Sequence, residues 1–232
     1  MILDCLLIFK RPMLLQLLTS HGFQCIDCGI AKDTLEEHKA MFKKAFSDLD
    51  VQVIVTTGGV SMGDRDFVKD TLVNEFNAKI HFGRVFMKPG KPTVFATVEV
   101  NNRKLLIFSL PGNPVSALVT SNLYVLPSLR CLSGLQKNNP AVLPTIQVVL
   151  AHDFELDPRP EYHRVRLISD RSSGQMLASS TGANQASSRI SSATSSDDCA
   201  FIGIVALPAR SNEQKIAKSG SILPCHPLSI SF

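Results

Sequence analysis

The sequence predicts an α/β chain in two parts: a three-layer, largely parallel sheet domain over residues 1–143 and a small C-terminal β-barrel over residues 144–232. Two observations carry this. As far as Cys131, short apolar runs rich in β-branched residues alternate with stretches of helical periodicity, the pattern of strands laid side by side with helices packed over them. From Thr145 onward the helical signal fades, and short strands recur between turns rich in Gly, Pro, Ser and Asp. The break falls near Pro140 to Pro144.

Taken in order, Pro12 to Ser20 reads as a helix, Gln24 to Cys28 as a strand and Thr34 to Asp48 as a second helix. Val51 to Val55 is apolar apart from Gln52, as a strand covered on both faces requires. Asp66 to Asn77 is helical, Val94 to Val98 and Leu105 to Phe108 are strands, and Pro114 to Cys131 is a helix. Asn113 stands where its cap belongs, with Pro114 at the first helical position. In the second part Ile146 to Ala151, His163 to Leu167, Phe201 to Ala206 and Ser221 to Cys225 read as strands. Between Ser179 and Asp198 nearly every residue is small and polar, the composition of a loop.

With 232 residues, 44% of them hydrophobic, the chain has material for one substantial core and a second, smaller one. Its formal charge is +4, but Lys and Arg are scattered, which argues against a nucleic-acid stripe and suits a small anion. Six cysteines without framework spacing read as reduced thiols, and Cys25 with Cys28 has no second pair to complete a zinc site. No apolar run reaches the roughly 18 residues of a membrane span. Met1 to Phe9 lacks the basic stretch of a signal peptide, so a cytosolic protein is expected.

Three turns carry the chemistry. Thr56-Thr57-Gly58-Gly59 follows a strand directly, so converging backbone N–H groups, the threonines and Ser61 could cradle an anion up to Gly63. Lys88-Pro89-Gly90-Lys91-Pro92 holds two ammonium groups on a stiff loop, and Arg84, four residues earlier on an expected strand, projects to the same face as Lys88. Leu110-Pro111-Gly112-Asn113 opens a helix whose N-terminus favours anions, with Ser116 in its first turn. Asp33 and Asp66 each precede a helix, where they serve as caps or, beside a phosphate loop, as Mg²⁺ ligands. Gly59-Val60-Ser61-Met62-Gly63 also fits the nucleophile elbow of α/β-hydrolases, but no glycine-rich oxyanion motif precedes it.

Thr56 to Asp64, His81 to Pro92, Leu110 to Ala117 and Asp157 to Arg164, in that order, resemble the molybdopterin molybdotransferase family, which includes bacterial MoeA proteins and the E domain of gephyrin. The resemblance covers about residues 11 to 232 and implies a MogA/MoaB-like α/β domain ahead of the barrel. It implies insertion of molybdate into adenylylated molybdopterin (adenylyl-molybdopterin) with release of AMP. It further implies Asp33 and Asp66 as carboxylates for Mg²⁺ and substrate, and Arg84, Lys88, Lys91, Pro92 and Ser116 in a molybdate and phosphate pocket. Arg164 and Ser188 match positions that the second domain brings to that pocket, and Lys88, Asp33 and Asp66 are the expected catalytic residues. The related adenylyltransferase is disfavoured by the β-rich tail and the KPGKP motif. Family members carry two further domains, one completing the site from the partner subunit of a homodimer, so weak or no activity is expected of this chain alone. Gephyrin's second role implies a scaffold module with receptor or cytoskeletal partners as the alternative.

Overall fold

The computed structural model describes residues 10–32, 34–47, 51–60, 67–134, 143–182 and 201–228. The first part contains helices α1 (Lys10–Ser20), α2 (Leu35–Ser47) and α3 (Phe67–Phe76) and strands β1 (Val53–Thr57), β2 (Lys79–Phe82), β3 (Val94–Val100) and β4 (Arg103–Leu110). Helix α4 (Pro114–Thr120) runs through a π-helical turn at Ser121–Val125 into α5 (Leu126–Leu132).

The four strands lie in the order β1-β4-β3-β2. Residues of β4 alternate between two cores. Leu105 and Ile107 join Phe42 and Phe46 of α2 and Leu72 of α3 on one face, while Phe108 and Leu110 join Leu14 and Leu18 of α1 and Leu118 of α4 on the other. Strand period two therefore produces the three layers expected. Among the described residues the pairing in this sheet is mixed: β1 with β4 is parallel, and β3 with β4 and β2 with β3 are antiparallel. The reason is local: Asn101 and Asn102 both take positive φ, 51° and 60°, and make the two-residue turn that folds β3 directly back into β4. Gln24 to Cys28, expected as a strand, pairs with no strand among the described residues.

The second part comprises β5 (Ile146–Leu150), β6 (Phe154–Glu155), β7 (Glu161–Ser169), β8 (Met176–Ser180), β9 (Phe201–Leu207), β10 (Ile216–Ala217) and β11 (Ile222–Leu228). Five of these close into a barrel in the order β11-β5-β8-β7-β9, and β6 pairs with β10 beside it. Val148, Leu150, Val165, Leu167, Ala178, Val205 and Cys225 fill the interior. Burial pushes the Cys225 thiol up to about 12, so it behaves as a small apolar side chain. Cys25 and Cys28 are free thiols, as expected.

Helix α4 joins the halves. Its residues Ala117 and Leu118 face the sheet, whereas Val115 and Val119 pack against Ile202, Ile204 and Leu228 of the barrel. Together Pro114–Leu132 is long and apolar enough to cross a membrane by length and composition, but Val115, Ala117, Val119, Val125 and Leu126 are fully buried in these two cores.

Gly203 tests how tightly the barrel is filled. A Cβ there would stand 2.6 Å from the Cys225 Sγ and 2.8 Å from the Leu167 Cδ1. Gly203→Ala should destabilise the chain by about 1–3 kcal/mol through overpacking, measured by urea unfolding; an unchanged midpoint would mean that the interior has slack.

Candidate functional site

Strands β1 and β4 end side by side. Thr57 is the register partner of Leu110, and the Gly58 N–H donates to the Leu110 carbonyl at 3.0 Å. The two expected anion loops are thereby adjacent at the carboxyl ends of neighbouring parallel strands, where ligands collect in such sheets. Gly58 and Gly59 take φ of 84° and 66°, the left-handed region that turns successive N–H groups toward one point. The Thr56 and Thr57 hydroxyls at this end are buried and have no hydrogen-bond partner among the described residues. Next to them, the Asn113 Oδ1 accepts from the backbone N–H of Val115 at 3.0 Å and of Ser116 at 3.3 Å, fixing the start of α4. Gly112 is half-buried at this turn.

The third loop is clamped to the same helix. Gly90, at φ 108°, sits so close to α4 that a Cβ would meet the Thr120 Cγ2 at 2.5 Å. Thr120 lies one turn beyond Ser116, and its hydroxyl donates to the Ser116 carbonyl at 2.7 Å. The Tyr124 hydroxyl lies 3.1 Å from the Met87 sulfur, and the Val85 N–H donates to the Lys91 carbonyl, closing the loop on itself.

Lys88 ties this loop to the barrel. Its N–H donates to the Pro160 carbonyl at 2.9 Å, and its own carbonyl accepts from the Tyr162 N–H at 2.7 Å, so one residue of the first domain pairs like a strand with β7 of the second. Its Nζ lies 3.2 Å from Asp157 Oδ2 and 3.2 Å from Glu161 Oε2. Glu161 also meets His163 Nδ1 at 3.0 Å, and His163 Nε2 lies 2.9 Å from the Ser180 hydroxyl. Burial acts to raise Asp157, but hydrogen bonds from Arg159 and Lys88 outweigh it and hold the carboxyl at about 2. In Glu161 burial likewise pushes upward and is overcome by His163 and Lys88, leaving it below the usual range. Arg164 is 2% exposed, and burial, opposed by Glu161, lowers it to about 10. It stays charged at neutral pH.

These contacts correct two expectations. Lys88 is not a free cation awaiting an anion, because two carboxylates already compensate it. Arg84 does not lie on a strand, since β2 stops at Phe82, and the shared-face argument with Lys88 fails. Arg84 and Lys91 are exposed and form no ion pair among the described residues, and Pro92 is half-buried between them and β3. Asp33, Ser61, Gly63, Asp66 and Ser188 lie outside the described residues. Among the described residues no group of three or more His, Cys, Asp or Glu could hold a metal ion. The Asp157, Glu161, His163 and Ser180 network was not anticipated; the spacing of Glu161 and His163, two apart on a strand, was its signal.

A sheet whose two glycine-bearing loops lie side by side at the strand ends, joined by Lys88 to a five-stranded barrel, defines a protein of the α/β-plus-barrel class. The chain belongs to the family of the probable molybdopterin binding domain, which matches residues 10–131; the MoeA C-terminal region (domain IV) matches residues 147–215. It is 40% identical over 223 residues to the molybdenum cofactor synthesis protein cinnamon of Drosophila melanogaster, covering 96% of this chain and 34% of that protein. It is 40% identical to gephyrin of Dictyostelium discoideum over 76% of this chain and 27% of that protein. Over 52% of this chain it is 38% identical to a molybdopterin molybdenumtransferase of Nostoc, of which it covers 27%. The chain thus spans about a third or less of the length of these relatives.

The depressed Asp157 carboxyl gives the clasp a pH signature. Its pKa falls from 3.8 to about 2 on folding, so its stabilising contribution is complete above pH 4 and lost as pH falls from 4 to 2. Asp157→Asn should lower the thermal midpoint at neutral pH, and the gap from the parent should close across that window. A gap that stays constant down to pH 2 would refute the assignment.

Proposed function

We propose that this chain acts in molybdenum cofactor biosynthesis, taking adenylylated molybdopterin and molybdate, inserting the metal and releasing AMP. The observation that carries the reading is the adjacency of Thr57-Gly58-Gly59 and Leu110 to Ser116 at the ends of β1 and β4, in a chain of the molybdopterin binding family. Both reactants are anions, and this junction offers what anions need: converging N–H groups, buried hydroxyls on Thr56 and Thr57, and a capped helix start.

In this reading the β1 loop and the Asn113-capped turn hold the phosphates, and Arg84 and Lys91 supply mobile positive charge to the incoming oxyanion. Lys88 is a positioning residue: by joining its loop to β7 it sets where Lys91 stands. Arg164, buried and charged behind Glu161, biases the junction toward anions. Ser61, Gly63, Asp33, Asp66 and Ser188 belong to the proposal by resemblance to the family's motifs alone, the two aspartates being those that would hold Mg²⁺. The relatives named molybdopterin molybdenumtransferase support the class of reaction.

The test is binding and turnover together. Arg84→Ala and Lys91→Ala should each weaken binding of adenylylated molybdopterin or molybdate about tenfold, the scale of one charge-assisted hydrogen bond, with thermal stability unchanged. AMP should appear only when molybdate is added. Release of AMP that ignores molybdate, or two variants that bind like the parent, would overturn the reading.

A further inference from the structure

The end of the barrel that meets Lys88 is polar, and its polar groups form a chain. Glu161 and His163 precede Val165 on β7 at steps of two, and their register partners are Leu207 and Val205, so both project to the face that Val165, Leu207 and Val205 turn to the apolar interior. Ser180 stands two residues beyond the interior Ala178 on β8 and faces the same way. The three line one mouth of the barrel, a place where ligands collect. Phe154 lies beneath them: the His163 ring meets it edge-on at 5.0 Å, and the His152 ring stacks on it at 4.7 Å.

Two distances make these side chains a relay. His163 Nε2 lies 2.9 Å from the Ser180 Oγ, and His163 Nδ1 lies 3.0 Å from Glu161 Oε1. Ionised Glu161 can only accept, so Nδ1 carries a proton, and in the neutral imidazole Nε2 is bare and accepts from the Ser180 hydroxyl. A charged His163 donates to that oxygen instead, and the Ser180 O–H then turns to the Gly182 carbonyl, 2.9 Å away. The charge on His163 thus decides where the serine proton points. The charged and titratable groups around it are Glu161 on its own strand, Lys88 behind Glu161 with Asp157 as its second partner, and His152, whose Nε2 accepts from the Ser180 N–H at 3.3 Å. Exposure rises along the relay: the Glu161 side chain is 5% exposed and that of His163 12%, while Ser180 is half-buried and Gly182 exposed. The carboxylate is sealed and the hydroxyl reaches solvent. The clasp on Lys88 requires none of this, because Asp157 and Glu161 complete it without His163 or Ser180.

We propose that Ser180, His163 and Glu161 form a nucleophilic site for small carboxylic esters, with Ser180 as nucleophile, His163 as general base and Glu161 as the positioning residue. The Ser180 Oγ bonds to the ester carbonyl carbon as its proton passes to His163 Nε2. The bond from that carbon to the alcohol oxygen breaks, and His163 returns the proton to the departing alkoxide. Water then attacks the acyl-serine, giving its proton to His163, and Ser180 leaves reprotonated as the acid is released. Glu161 keeps Nδ1 protonated and offsets the charge that His163 gains. The Gly182 N–H, 3.3 Å from the Oγ, is a backbone donor already directed at the reacting group. Because the interior is filled as far as Gly203 and Leu167, the mouth admits a short acyl group. The inference stands independently of the reaction proposed above.

Treatment of the full chain with an alkyl fluorophosphonate, followed by peptide mass spectrometry, tests it. Ser180 should carry the adduct, with fluoride as leaving group. Labelling should slow about 100-fold in His163→Gln and, in the parent, rise with pH through a one-proton step between about pH 5 and 9. Ser180→Ala should lose both the adduct and the hydrolysis of para-nitrophenyl acetate, whereas Ser172→Ala, in an exposed turn, should match the parent in both. Absence of an adduct on Ser180, hydrolysis that survives Ser180→Ala, or labelling as fast in His163→Gln as in the parent would overturn the proposal. Should His163→Gln fail to fold, a labelling rate that is flat across that pH range would do the same.

Discussion

The position of every described site residue rests on the burial of one helix from two sides. Helix α4 meets the sheet through Ala117 and Leu118 and the barrel through Val115 and Val119, so neither domain can shift without opening an apolar interface. Burying such side chains is worth about 1.5–3 kcal/mol each, which makes the helix the most expensive element to move. Asn113 caps its start, Gly90 rests on its last turn at Thr120, and Lys88, two residues before Gly90, reaches the barrel that the same helix supports. The loops are thus arranged by packing, and their charges are arranged by the loops.

Charge at the junction is distributed unevenly, and the unevenness is informative. Lys88 and Arg164 sit among carboxylates and burial, where losing a partner would strand an uncompensated charge. Arg84 and Lys91 stand in solvent on the same loop. One lysine of the KPGKP motif therefore holds the architecture while the other remains available. A pair identical in chemistry is divided by the single fact that β7 passes beside the first member and not the second.

Much of this was legible in the sequence. The alternation of apolar runs and helices gave three layers, the loss of helical period after Thr145 gave the barrel, and Asn113 with Pro114 marked the start of α4 correctly. Strand direction was not legible, because the Asn101-Asn102 turn has no proline or glycine to mark it, yet its positive φ makes β3 and β4 a hairpin. The Gln24 to Cys28 run looks like a strand because its side chains alternate, but pairing needs a neighbour, and none is found for it among the described residues. In the site, the loop motifs stood out because glycine and proline restrict the backbone in ways that show in sequence. The partnership of Lys88 with Asp157 and Glu161 did not, since it joins residues about 70 apart across two domains.

The π-helical turn at Ser121–Val125 explains how one helix serves both cores. Val115 and Leu126 are separated by eleven positions, three full windings of a regular α-helix, and would share a face if the winding were uniform. Instead Val115 looks at the barrel and Leu126 at α1. The wider turn acts as a phase shifter, rotating everything downstream by roughly a quarter of a revolution. Tightening it by one residue would restore ideal helix geometry and, in doing so, swing the apolar stripe of α5 away from Leu14: here the irregularity is the part that keeps the two halves in register.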